Sequence, residues 1–190
     1  MKSKKSKPIR LKAVCLVANK PSGNGRIVTP NGMKLLVATY NSNYIKRRKA
    51  QGTLGHVDEN NSSNQSANLQ MISHKITSLK MVGNKAIAEI ELLPTPYGNQ
   101  VREGILNGVK FGLSVAIAGS AFKVVQLRDL MKRREVLPTQ LVTWDRQVAA
   151  IANNPRIPNF AEIVAYDSEL RSVDIVLDPA CRESVLKVLK

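Results

Sequence analysis

Ser114 lies inside the apolar, glycine-flanked stretch GVKFGLSVAIAGS, which runs from Gly108 to Ser120. A buried hydroxyl needs a hydrogen-bond partner, and a reactive hydroxyl needs a base that takes its proton. Histidine suits that proton transfer near neutral pH, and the chain has only two histidines, His56 and His74. If Ser114 is a nucleophile, its base is therefore sought among these two residues.

The local motif around Ser114 does not by itself identify a nucleophile. The sequence Gly112-Leu113-Ser114-Val115-Ala116 is superficially similar to the G-x-S-x-G elbow of α/β-hydrolases. Here, however, the serine falls within a predicted strand that follows a helix, and no helix begins immediately after it. Taken alone, this context favours a structural serine. His56 precedes Ser114 by 58 positions, so only the fold could bring the two side chains together.

Other reactive side chains are few. Two cysteines, Cys15 and Cys181, are far apart and form no CxxC pair, which favours a reduced intracellular chain and leaves a disulfide open. No cysteine or histidine stands at metal-ligand spacing, so the sequence predicts no structural zinc site, no other metal and no cofactor.

The chain is strongly basic, with 29 Lys and Arg against 14 Asp and Glu and a net charge of +15. This balance predicts attraction to a polyanion, either nucleic acid or an acidic protein assembly. The positive side chains cluster at Lys2–Lys12, Lys46–Lys49 and Lys132–Arg134, and solvated faces remain the alternative reading. Non-specific DNA contact stays open, but no aromatic-rich RNA-binding signature accompanies the charge. No apolar run approaches the about 20 residues of a membrane span, and residues 1–8 are interpreted as a solvated basic tail rather than a secretion signal.

Periodic patterns predict an α+β fold that is mostly antiparallel sheet with helices around it. The clearest signal is a hairpin in which MISHKITSLKM and KAIAEIELL flank Gly83-Asn84. Its second arm alternates as a half-buried strand, with Ala86, Ala88, Ile90 and Leu92 on one face. Thr95 and Pro96 predict the start of a helix, as does Pro30.

The remaining segments complete a single domain over residues 9–190. Strands are predicted at Ile9–Ala18, at 27–29, in GTLGHVDEN and in FGLSVAIAG, and ENNSSNQSANLQ is predicted to be a polar loop. A helical insertion is predicted at about 126–158. FAEIVAY and LRSVDIVLDPA are expected to form a last strand pair, followed by a short terminal helix in RESVLKVLK.

An ordered set of segments resembles the prohead core proteases of tailed bacteriophages, the T4-type family that is distantly related to the herpesvirus assemblins. The segments are NGRIVTPNGMKLLVATY, GTLGHVDE, the hairpin followed by the TPYG helix and KFGLS, and VDIVLDPAC. Together they cover about residues 9–125 and 160–182. The resemblance implies an antiparallel β-barrel core of the herpesvirus-protease type.

Carried over residue by residue, the resemblance makes Ser114 the nucleophile and His56 its general base. It also places an acid in the last strand, and Asp174 is our choice for the residue that orients His56. Asp174 alternates with apolar neighbours in a predicted strand, where a carboxylate needs a partner. The rivals for this role are Asp58 and Glu59 in the His56 loop, Asp178 before Pro179, and a water or no acid at all. His74 is interpreted as a histidine of the sheet, because it directly follows Ser73 and neighbours on a strand face opposite sides.

The implied function is a serine endopeptidase that cleaves the scaffold, core and capsid proteins of a phage, after glutamate, and processes itself inside the prohead in the host cytoplasm. Self-association stays open. Lys75 and Lys110 are candidates for contacting the glutamate. One departure leaves alternatives open: the family's Ser-Arg-Gly after the nucleophile is replaced here by Val115-Ala116-Ile117, which puts the origin of the oxyanion site in doubt. A catalytically inactive capsid or core protein on the same fold, and a basic nucleic-acid-binding module, are the two rival readings.

Overall fold

The computed structural model describes residues 8–56, 71–133 and 145–189, which form ten strands, four α-helices and one π-helical turn. The strands are β1 Arg10–Val17, β2 Arg26–Ile27, β3 Gln51–Thr53, β4 Ile72–Val82, β5 Lys85–Leu92, β6 Gly112–Ala118, β7 Ala121–Lys123, β8 Glu162–Val164, β9 Glu169–Val176 and β10 Lys187–Val188. The helices are α1 Pro30–Tyr40, α2 Pro96–Leu106, α3 Val124–Lys132 and α4 Asp145–Asn153, and the π-helical turn Asn41–Ile45 extends α1. The polar segment ENNSSNQSANLQ, predicted as a loop, lies outside the described residues.

Two sheets close on each other as a barrel. The larger has the order β10-β1-β5-β4-β3, and the smaller is the antiparallel pair β6-β9. Leu54, just after β3, bridges to Ile175 of β9, and Gly55 donates its N–H to the Ile175 carbonyl at 2.7 Å. On the other side, the N–H of Leu186 reaches the carbonyl of Phe111 at 2.9 Å. The expected α+β fold with an antiparallel barrel-like core is confirmed.

The barrel core is mostly aliphatic, in keeping with the few aromatic residues of the sequence, and Tyr40 and Phe111 are buried in it as well. Strand alternation sends Ala86, Ala88, Ile90 and Leu92 of β5 inward, as their period of two predicts. Helix α1 adds its buried apolar face to the same core. A second, smaller core lies where α3 and α4 pack on the three-stranded sheet β2-β8-β7.

Local sequence signals explain where the helices begin. Thr29 and Thr95 each cap a helix by accepting the backbone N–H three residues later, at 3.0 and 3.1 Å, and each is followed by proline. At the hairpin, Gly83 takes a positive φ of 59° between β4 and β5. The predicted helix starts at Pro30 and at Thr95-Pro96 and the predicted hairpin at Gly83-Asn84 are confirmed.

Two predictions near the end of the chain are wrong. The segments FAEIVAY and LRSVDIVLDPA do not pair with each other: β8 joins β2 and β7, whereas β9 pairs with β6. The reason is that Ile163 belongs to the smaller core and Val173 to the barrel core. RESVLKVLK is not a helix, because its residues 187–188 form β10 against β1. A nine-residue helix has little intrinsic stability, and pairing with the barrel edge satisfies the backbone instead.

Candidate active site

The register of β6 and β9 brings Ser114 opposite Asp174. The two residues are direct partners in the antiparallel pair, so their side chains share one face of the sheet. Their neighbours Leu113 and Ile175 are also partners, share the other face and are fully buried. Ser114 is 5% exposed and Asp174 is 3% exposed. The sheet therefore holds a hydroxyl beside a buried carboxylate.

The carboxylate of Asp174 is surrounded by hydrogen-bond donors. Its Oδ1 accepts the backbone N–H of Thr53 at 3.0 Å and lies 3.1 Å from the Thr53 hydroxyl. Its Oδ2 accepts the Ser172 hydroxyl at 2.5 Å and lies 3.0 Å from Nδ1 of His56. Burial acts to raise the pKa of Asp174, but the hydrogen bonds from His56, Ser172 and Thr53 outweigh it and leave the pKa below its usual value. Asp174 is thus an ionised acceptor.

His56 owes its position to the chain that leaves β3. The N–H of Gly55 is anchored on β9, and Gly55 has a φ of 84°, a conformation that glycine adopts without strain. This turn directs His56 back toward Asp174. Because an ionised carboxylate only accepts hydrogen bonds, Nδ1 of His56 carries a proton, and Nε2 is the nitrogen that can take one. The His56 side chain is 43% exposed, so a substrate can approach it.

His74 has a different environment. It is 0% exposed, its Nε2 lies 3.0 Å from the carbonyl of Val173, and its Nδ1 lies 2.9 Å from the Ser73 hydroxyl. Since a carbonyl only accepts, Nε2–H donates and Nδ1 accepts from Ser73. Burial lowers the pKa of His74 to about 4. This neutral histidine ties β4 to β9.

Ser73 and His74 do not face opposite sides as predicted, because their side chains form a hydrogen bond at 2.9 Å. The register of β3 and β4 shifts between Gly52 and Thr53, where Gly52 pairs with His74 and Thr53 with Ile72. Ser73 is therefore the extra residue of a β-bulge, which turns adjacent side chains toward each other. Both residues are buried, so their hydrogen bond is part of the sheet interior.

Gly52 makes this packing possible. A Cβ at this position would lie 2.2 Å from the carbonyl oxygen of Val173 and 2.3 Å from Nε2 of His74. Only glycine lets β3 approach β9 closely enough for the next residue, Thr53, to bind Asp174. Gly52, the first glycine of GTLGH, therefore belongs to the framework of the site.

The structure brings together Ser114, His56 and Asp174, the three residues selected from the sequence. Of the rivals to Asp174, Asp58 and Glu59 lie outside the described residues, and Asp178 is exposed beyond the end of β9. The contacts of Thr53 and Ser172 with Asp174 were not predicted. The sequence could have indicated Ser172, because residues two apart on a strand share a face, whereas the contact of Thr53 depends on tertiary structure.

A cavity of about 80 Å³ lies against Ser114, between β1, β6 and the segment before β10. Its walls include Lys20, Arg26, Arg182 and both cysteines. His56 does not line it, so the cavity suits a substrate side chain rather than the proton transfer. Cys15 and Cys181 are free thiols, and burial raises the pKa of Cys15 to about 12. That thiol is a poor nucleophile.

Within the described ranges, no group of three or more His, Cys, Asp or Glu side chains is arranged to hold a metal ion. None of the helices in those ranges is long and apolar enough to cross a bilayer.

The fold is shared with a viral protease of capsid assembly. That protein is the bacteriophage T4 capsid assembly protease, gp21, whose solved structure aligns with 90% of this chain and 82% of its own, with a TM-score of 0.63 and 14% sequence identity. At this identity the similarity establishes the common fold. No family model and no curated protein sequence matches the chain.

Proposed function

We propose that the protein is a serine endopeptidase that cleaves scaffold and capsid proteins during phage prohead maturation, inside the prohead in the host cytoplasm. The observation that carries this proposal is the 3.0 Å contact between His56 and Asp174 beside Ser114. The fold shared with a capsid assembly protease supports the choice of substrate.

The arrangement of the three side chains supports acyl transfer. Nε2 of His56 takes the proton of Ser114 Oγ as the oxygen attacks a peptide carbonyl carbon, and the imidazolium forms against the ionised Asp174. His56 then gives this proton to the amine of the leaving peptide. A water molecule, deprotonated by His56 in the same way, then attacks the acyl-enzyme, and Ser114 leaves as the hydroxyl while the acid product is released. Asp174 holds the tautomer in which Nε2 begins unprotonated.

Cleavage after glutamate, including cleavage of the protein itself, is part of the proposal. The cavity beside Ser114 carries Arg26 and Arg182, and neither forms an ion pair with another described residue. A guanidinium in such a cavity favours a carboxylate. Lys75 and Lys110 do not line this cavity, and Lys75 is paired with Glu91 at 2.7 Å, so the arginines are better candidates.

The direct test is incubation of the protein with the scaffold protein of its virus, followed by mass spectrometry of the new termini. We expect cuts after glutamate with the unmodified protein and none with Ser114→Ala. A serine-reactive phosphonate should add its mass at Ser114. Failure of both labelling and cleavage would favour an inactive structural protein, and salt-dependent DNA binding without hydrolysis would favour a nucleic-acid-binding module.

A further inference from the structure

Four consecutive cations form an exposed loop, Lys46–Lys49, between the π-helical turn and β3; we call it the basic loop. All four side chains are exposed. None of them forms an ion pair or side-chain hydrogen bond with any residue that the structure describes. The sequence adds to the isolation of this charge, since no Asp or Glu precedes Asp58.

Glu169, the acidic side chain that contacts the π-helical turn before the basic loop, is already engaged. Tyr44, in the π-helical turn, donates its hydroxyl to Glu169 at 3.1 Å. Arg171 pairs with the other oxygen of Glu169, also at 3.1 Å. Glu169 therefore has its own positive partner and does not neutralise the loop.

The backbone of the basic loop has an arginine where glycine is usual. Arg48 donates its N–H to Ile45 and Lys49 donates its N–H to Tyr44, which are the two bonds of a Schellman helix end. Arg48 lies at the left-handed position of this motif, with a φ of 57°. Glycine adopts this conformation without strain, whereas a residue with a Cβ does not. The helix end alone gives no reason for an arginine there.

The basic loop is attached to the candidate site through a short, fixed strand. Ala50 is buried, β3 pairs with β4, and Thr53 at the end of β3 binds Asp174. His56 follows Lys49 by seven positions, so at up to about 3.6 Å per residue the two lie at most about 25 Å apart. An extended peptide of about seven residues covers that distance.

We propose that the basic loop is a docking site for an acidic segment of the protein substrate, about seven residues or fewer from the bond that is cut. The inference rests on the proposed protease function. Four unpaired cations attract an acidic segment over a Debye length, and holding it raises the local concentration of the adjoining peptide at Ser114. A polypeptide is favoured over nucleic acid as the partner because one extended chain can occupy the loop and the site together.

The binding test uses Ser114→Ala protein and a fluorescent peptide that carries six consecutive glutamates. Replacing Lys46, Arg47, Arg48 and Lys49 by Gln should weaken binding at least tenfold at low salt. The matched control removes four exposed cations elsewhere, by replacing Lys12, Lys132, Arg156 and Lys187 with Gln, and should retain the affinity within about twofold of the parent. Equal weakening in both variants would show that net charge alone determines the affinity, and it would overturn the proposal.

Arg48→Gly separates docking from folding. It relieves the left-handed strain, so the melting temperature should rise by about 2–4 °C, while peptide affinity falls severalfold. A higher melting temperature with unchanged affinity would show that Arg48 does not contact the acidic segment. A 20-bp DNA duplex is the competing ligand: loss of duplex binding with unchanged peptide binding would assign the basic loop to nucleic acid.

The kinetic test compares two fluorogenic peptides, one with the six-glutamate run placed seven residues from the cut and one without it. The run should lower KM about tenfold with kcat little changed, and the loop variant should lose this advantage while cleaving the plain peptide normally. Hydrolysis of neither peptide would count against the proposed function, and the binding test would still decide the docking site. Cleavage with the same advantage in the loop variant would overturn the docking proposal alone.

Discussion

The two histidines bind adjacent residues of the same strand in two different regions of the molecule. His56 meets the buried side chain of Asp174 from a partly exposed position, and His74 meets the backbone carbonyl of Val173 in the interior. His56 is 43% exposed by its side chain, whereas His74 is wholly buried with both nitrogens engaged. A carboxylate partner on Nδ1 together with a partly exposed ring suits a base, whereas full burial suits a framework residue.

The largest expected effect tests the roles proposed for Ser114 and His56. Ser114→Ala and His56→Ala should each lower the rate of peptide hydrolysis by roughly 10⁴- to 10⁶-fold, because neither proton transfer nor acyl formation can occur. The melting temperature should change little. Rates are measured on a scaffold-derived peptide, and His74→Gln serves as the comparison. If His74→Gln lost activity per folded molecule as severely as His56→Ala, the assignment of the base would be lost.

Asp174→Asn should lower turnover by about 10⁴-fold, because an amide can donate to Nδ1 of His56 and so favour the wrong tautomer. The substitution keeps the side-chain volume, and circular dichroism should report a native fold. Asp58→Asn is the matched comparison, at the acid two positions after His56 in the sequence. A nearly fully active Asp174→Asn together with an inactive Asp58→Asn would move the role of the acid to Asp58.

Because His74 is buried in its neutral form, we expect the folded protein to lose stability in acid. The pKa of His74 falls from 6.5 to about 4 on folding, so the unfolded chain binds more protons in this range. The associated stability is present above pH 6.5 and is lost as the pH falls toward 4, by up to about 3 kcal/mol. Urea unfolding at pH 7, 5.5 and 4.5 measures it. His74→Gln should flatten the slope, and an unchanged slope would contradict the assignment to His74.

The smallest expected effect is at Gly52, which lies against His74 and directly precedes Thr53, the residue that binds Asp174. Gly52→Ala forces a Cβ against Val173 and His74, which should destabilise the fold by about 1–3 kcal/mol. Activity should fall as well, because Thr53 would shift away from Asp174. Gly23→Ala is the control, since its Cβ would lie 3.4 Å from the nearest atom, the carbonyl oxygen of Ala180. Similar losses of stability in both variants would contradict the claim that the fold requires glycine at position 52.

The sequence predicts the local parts of this structure better than its pairings. Capping threonines, prolines and the Gly83-Asn84 turn act within a few residues, so α1, α2 and the β4–β5 hairpin were predictable. The partners of β8, β9 and β10 were not, because apolar periodicity says which face is buried and not against which strand.

The candidate site divides in the same way. Residue chemistry and the family resemblance selected Ser114, His56 and Asp174, whose catalytic roles stay predictions. The bulge at Ser73 and the contacts of Thr53 depend on the register between β3 and β4, which a single sequence does not specify. The choice of site residues was therefore predictable, whereas the contacts that depend on long-range strand register were not.

Strand β9 supplies Asp174, pairs with the strand of Ser114 and anchors the turn that carries His56. During synthesis, Ser114 and His56 both emerge before this strand exists. The ribosome needs about 3–12 s to add the roughly 60 residues between Ser114 and Asp174. Until then, the carboxylate that binds His56 is missing, so the three side chains are together only once β9 has been made.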